Sequence, residues 1–80
     1  MSYARFARDE SNVYVYLDIG GYLNCCRCNL EPEYDPHFVT TAAMLGHLDA
    51  HKAAGHLVPD YCIKGLKEDA LENDAWMAKN

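Results

Sequence analysis

Eighty residues carry seven Lys and Arg against twelve Asp and Glu, a net charge of −5, and half of the residues are hydrophobic. That composition excludes a disordered chain and offers a phosphate backbone no long-range attraction. A chain this small buries only ~60% of its unfolded surface and sits near break-even unless something staples it.

The charge is uneven. Residues 1–30 hold Arg5, Arg8 and Arg27 against Asp9, Glu10 and Asp18 and are neutral, so residues 31–80 carry the whole −5. No apolar run nears the ~18 residues of a transmembrane helix, and the N-terminal Met-Ser-Tyr-Ala-Arg-Phe-Ala-Arg lacks the apolar stretch of a signal peptide. The four cysteines are therefore read as reduced thiols of an intracellular, cytoplasmic protein with no membrane segment.

Residues 1–11 are mixed and polar, expected as an N-terminal arm or a short helical segment. From Asn12 to Ile19 the chain alternates: Val13, Val15, Leu17 and Ile19 to one side, Tyr14, Tyr16 and Asp18 to the other. Period-two spacing of β-branched and aromatic residues predicts a half-buried strand. Gly20-Gly21 signals a two-residue hairpin, and Tyr22-Leu23-Asn24 returns as a second strand into Cys25. A third short strand is expected around His37-Phe38-Val39. Thr40 or Thr41 caps a helix carrying Met44, His47, Leu48 and His51 on its inner stripe. Gly55 ends it at C′, and Gly46 leaves room for close backbone approach. Residues 59–78 are expected to be helical, with Ile63, Leu66, Ala70 and Met77 buried and Gly65 kinking or dividing the segment.

Cys25 and Cys28 are separated by two residues, and His47 and His51 by three, one turn apart on one helix face. Two thiolates and two imidazoles are the donor set of a closed tetrahedral Zn²⁺ site. Leu23 before the knuckle, and Phe38 and Met44 before the histidines, repeat the apolar spacing of a two-cysteine, two-histidine ββα finger. Eighteen residues separate Cys28 from His47, where a standard finger has about twelve. The excess fits a loop insertion over Glu31-Pro32-Glu33-Tyr34-Asp35-Pro36. His51 and His56 form an alternative ligand pair, within the accepted three-to-five spacing; otherwise His56 caps carbonyls at the helix end. Cys26 and Cys62 are read as small packing thiols, and His37 as solvent-exposed.

Four protein ligands leave no open coordination position and no free Cys–His pair, so no catalysis is expected. Aligning the helix on the finger pattern puts Thr40, Ala42, Ala43 and Gly46 at the base-reading positions, and none has a side chain that reads base edges. Nucleic acid is thus disfavoured as partner; Arg5, Arg8 and Arg27 carry the alternative of a nucleic-acid-associated regulator. The Tyr14 and Tyr16 face, with Tyr22 and with Trp76 from the C-terminal segment, is the expected protein-interaction surface, most simply a homodimer contact.

Two stretches, Val13-Tyr-Val-Tyr-Leu-Asp-Ile-Gly-Gly-Tyr-Leu-Asn-Cys-Cys-Arg-Cys28 and Met44-Leu-Gly-His-Leu-Asp-Ala-His-Lys-Ala-Ala-Gly-His-Leu-Val-Pro59, resemble small zinc-finger-like proteins encoded by phages of actinobacteria. The resemblance implies a fold and a phage origin but no mechanism; the expected function is a non-catalytic zinc-stabilised interaction module, a phage accessory protein that self-associates or binds a host protein. The expectation is one small α+β domain over residues 1–80: arm 1–11, zinc-stapled ββα finger-like core 12–56, and an additional C-terminal helix over 59–78.

Overall fold

The computed structural model describes residues 2–31 and 33–79, so Pro32 of the expected insertion lies outside the described residues. Among the described residues the chain is α+β, with a four-stranded antiparallel sheet in the order β1-β2-β3-β4 and three helices. The strands are β1 (Ser2–Ala4), β2 (Val15–Asp18), β3 (Tyr22–Cys25) and β4 (His37–Phe38). The helices are α1 (Thr41–Ala53), α2 (Asp60–Glu68) and α3 (Ala70–Lys79). None of them is long and apolar enough to cross a membrane.

Register sorts the sheet into two faces. Val15 pairs with Cys25 and Leu17 with Leu23, which in turn pairs with Phe38, so the apolar side chains share the face that the helices cover. Tyr16, Asn24 and His37 align across the other face. Val13, Val15, Leu23, Cys25, Met44, Leu48, Cys62 and Leu66 are essentially inaccessible and form one cluster, with Leu17, Phe38 and Trp76 packed against it.

Several expectations need correction. Ile19 does not join the inward set: it is 95% exposed, because Asp18 pairs with Tyr22 and Ile19, Gly20 and Gly21 form a three-residue loop. Gly21 takes φ +99 at its end, and its N–H donates to the Asp18 carbonyl, the left-handed glycine that three-residue hairpins require. The expected two-residue turn is one residue longer.

The N-terminal arm is a strand rather than a helical segment. Ser2 pairs with Tyr16 and Ala4 with Val15, with a register irregularity between them that turns both Tyr3 and Ala4 inward. Tyr3 is fastened at its hydroxyl, which donates to Asp69 Oδ2 at 2.7 Å and accepts from buried Asn73 Nδ2 at 2.6 Å. Burial pushes the phenol up to about 12, keeping it neutral and able to donate.

The C-terminal segment is two helices, divided at Asp69 and not at Gly65. Gly65 instead makes room for Tyr3: a Cβ there would lie 3.1 Å from the Tyr3 ring. Gly46 is the reverse case, since a Cβ would meet nothing within 4 Å, and the expected close approach is absent. Cys62 and Leu66 are buried on α2 and Met77 on α3, while Ile63 and Ala70 are half-buried.

Helix α1 begins where the sequence places its cap. Thr40 is extended and its hydroxyl accepts from the Ala43 N–H at 3.2 Å. A second cap comes from α3: Asp74 Oδ1 accepts from the Thr41 N–H at 2.7 Å and from its hydroxyl at 2.8 Å. A carboxylate at this end also complements the helix dipole.

The two glycines separate by a single test. At saturating zinc, Gly46→Ala should raise stability by about 1 kcal/mol, the helix-propensity difference in open space. Gly65→Ala should lower the thermal midpoint, because a Tyr3 ring held at its far end cannot withdraw from the new methyl.

Candidate metal centre

Two elements supply the four donors. Cys25 closes β3, and Cys28 follows a tight turn in which Arg27 takes the left-handed φ of +49. Such a conformation is strained for a side-chain-bearing residue, and the turn is braced accordingly. The Arg27 N–H donates to Asp35 Oδ1 at 2.8 Å, the Cys25 N–H to the Pro36 carbonyl at 2.9 Å, and the Cys26 N–H to the Tyr14 carbonyl at 2.8 Å. The inserted loop thus holds the knuckle through Asp35 and Pro36 and is more than a spacer.

His47 and His51 come from the inner stripe of α1, one turn apart. His51 Nε2 lies 3.5 Å from Cys25 Sγ, 3.4 Å from Cys28 Sγ and 3.1 Å from His47 Nε2. His47 Nε2 lies 3.4 Å from Cys28 Sγ. All four donor atoms fall within 4.8 Å of one another. Bond lengths of ~2.3 Å to sulfur and ~2.0–2.1 Å to nitrogen at tetrahedral angles give S···N separations of about 3.6 Å and N···N of about 3.3 Å. The three S···N separations and the N···N separation given above lie close to those figures. Cys25, Cys28, His47 and His51 are placed to bind a metal ion, and the donor set is that of zinc.

Burial and electrostatics fit the same chemistry. Cys25, Cys28 and His51 are buried and His47 is half-buried. Desolvation pushes the His51 imidazole down to about 4, with further lowering from His47 and His56 nearby, and lowers His47 as well. Both rings are therefore neutral, as ligands must be. Burial pushes the Cys25 thiol up, and the neighbouring Cys28 adds to the shift. The Cys25 thiol resists ionisation until a cation compensates its charge.

His56, the alternative ligand, stands outside the cluster. Its Nδ1 is 2.8 Å from His51 Nδ1, on the opposite edge of the His51 ring from the sulfurs. Phe38 packs on His47, ring centroids 5.1 Å apart. Cys26 is half-buried beside the site and Cys62 is buried in the core, both outside the donor set. His37 is exposed and meets the Tyr22 ring edge-on at 4.7 Å.

The expected interaction residues fall into separate places. Tyr14 and Tyr16 meet edge-to-face at 5.8 Å, and Phe6 continues the series onto Tyr14 at 5.8 Å. With Cys26 and Arg27 these rings line a groove of about 390 Å³. Trp76 borders a different groove with Leu17, Glu72 and Asn73, and Tyr22 is 40% exposed. Sequence reasoning did not single out Phe6, Asp35 or Asp74. Asp35 acts through a backbone amide brought near by folding, a relation with no periodic signal.

The protein should bind one zinc per chain, and because zinc takes its cysteine ligands as thiolates, about two protons should leave per zinc at pH 7. Buffer-dependent calorimetry reads that number. The unfolded, metal-free chain holds more protons than the folded, loaded one, so stability should fall as pH drops from the ordinary thiol value of 9.0. Chelation or Cys25→Ser should abolish the cooperative melt, whereas Cys26→Ser should leave zinc content unchanged. Compared with known proteins, the chain matches no family model, no curated protein and no solved structure.

Proposed function

We propose that this chain is a non-catalytic protein-interaction module in which zinc plays a structural role. Four protein donors would fill a tetrahedral ion, leaving no position for water or substrate. The metal offsets the small core: an apparent ~10–16 kcal/mol in finger peptides exceeds what so short a chain gains by burial alone.

The observation that carries the interaction reading is the aromatic groove of Phe6, Tyr14 and Tyr16. No helix residue lines it, since α1, α2 and α3 cover the opposite face of the sheet. Tyrosine and phenylalanine are enriched in interface cores, and a ring series with polar hydroxyls suits a protein partner. That partner is a second copy or a host protein, the latter following from the phage resemblance.

A second reading rests on Arg27, which joins three aromatic rings in that groove. Rings beside a guanidinium are the combination that binds single-stranded nucleic acid. Arg5 and Arg8 are exposed and could extend the patch, but the net −5 opposes it.

Replacing Tyr14 and Tyr16 together by Ser should reduce self-association or partner capture, with zinc content unchanged. Sedimentation at high concentration and metal analysis check this, and loss of fold in the double variant would make the rings simply core. Duplex or single-stranded DNA should bind no tighter than ~10⁻⁴ M at physiological salt, the weak non-specific range. A steeply salt-dependent complex far tighter than this would favour the second reading.

A further inference from the structure

The helix carrying the two histidines ends in a way that brings a third histidine back onto the site. Gly55 adopts φ +86 just past the Ala54 cap; the Gly55 N–H donates to the Lys52 carbonyl at 3.0 Å, and the His56 N–H to the His51 carbonyl at 2.9 Å. This pair of bonds is the Schellman closure, in which the residue after the left-handed glycine folds back over the residue five earlier. Ordinarily that contact is apolar. Here it joins two imidazoles, with ring centroids 5.1 Å apart and Nδ1 atoms 2.8 Å apart.

The returning loop is also tied from outside. Asn12 N–H donates to the Leu57 carbonyl at 2.8 Å, and Asn12 Oδ1 accepts from the Leu57 N–H at 2.6 Å. His56 is thus flanked by a helix closure on one side and a doubly bonded residue on the other. Its place over His51 follows from backbone geometry and does not depend on a chance rotamer.

Two Nδ1 atoms at hydrogen-bond distance need one proton between them. If His51 holds that proton, its Nε2 is a bare lone pair, and His56 accepts at Nδ1 while carrying its own proton at Nε2. If His56 holds it, a neutral His51 must carry a proton at Nε2, pointing at Cys25, Cys28 and His47, where it would exclude a metal. The first arrangement alone lets His51 serve as a ligand. We propose that His56 is the positioning residue of the metal centre: it accepts the His51 Nδ1 proton and thereby fixes the tautomer and ring angle that present Nε2 to the ion.

The inference rests on the zinc reading above and adds a division between the two histidine ligands. His51 is fully buried, with its outer edge clamped by His56. His47 is half-buried, flanked by the Phe38 ring, on a groove shared with Glu31 and Tyr34. Outer hydrogen-bond partners of metal-bound histidines commonly contribute 10–100-fold to affinity.

The test compares the native chain with His56→Leu, which removes the acceptor, and His56→Asn, whose amide oxygen restores one near the Nδ1 position. Zinc affinity is measured by competition with a chelator, site geometry by the visible spectrum of the cobalt-substituted protein, and the His51 tautomer by ¹⁵N chemical shifts in the zinc-loaded native chain. All three proteins should bind one metal with a tetrahedral, dithiolate spectrum. His56→Leu should bind zinc about 10–100-fold more weakly, and His56→Asn should recover most of that loss. The native His51 should be protonated at Nδ1 and metal-bound at Nε2.

Equal affinity in native and Leu variants, with one zinc in each, overturns the positioning role while leaving the metal reading intact. Loss of the four-ligand spectrum in both variants overturns it too, by making His56 a ligand. A native chain that takes up no zinc overturns both. Should His56→Leu fail to fold, the tautomer of His51 in the native chain decides: protonation at Nε2, or coordination through Nδ1, refutes the proposal.

Discussion

Four donor atoms have to converge within 4.8 Å, two from the end of a hairpin and two from one face of a helix. That requirement fixes most of the remaining geometry. The helix must cross the inner face of the sheet with Met44 and Leu48 turned inward beside the histidines, and both are fully buried. The knuckle must reverse within two residues, which puts Arg27 at a positive φ and calls on Asp35 to hold its amide. The added residues between knuckle and helix are put to use here: they supply that carboxylate and the Pro36 carbonyl, and they lead into the short strand β4 that seats Phe38 against His47.

Around this point the chain relies on polar fasteners that act across long sequence separations. Asp74 caps α1 from α3, Asn12 holds the turn after α1, and Tyr3 joins the N-terminus to Asp69 and Asn73. Each fixes an element that carries a ligand or packs against one. A single such bond contributes only ~0.5–1.5 kcal/mol net, but a buried group that loses its partner costs ~1–3 kcal/mol. Their value lies in specifying one arrangement of a small core.

The hairpin, the knuckle, the Thr40 cap, the histidine face of α1 and the Gly55 stop were legible in the sequence because each is a local pattern with its own stereochemistry. The metal cluster was legible for the same reason, as two local spacings that need only be brought together. What escaped was non-local. Strand β1 shows no alternation, since its irregular register turns Tyr3 and Ala4 the same way, and only pairing with β2 makes it a strand. Gly65 resembled a helix breaker because the ring it accommodates lies more than sixty residues away in sequence. Ile19 followed the period of the strand one step beyond its end, where the hairpin loop had already begun. The place of His56 was within reach, since a glycine at C′ implies contact between the next residue and the third before the cap.

The two borders of the sheet have a bearing on how this surface meets others. One border strand has three residues and an interrupted register, and the other has only two residues. Among the described residues neither presents a run of free backbone N–H and C=O groups long enough to template another strand. A partner meeting this sheet would therefore meet side chains on its open face, and not backbone ladders that propagate from chain to chain. A small aromatic face can in this way stay exposed at high concentration without seeding fibres.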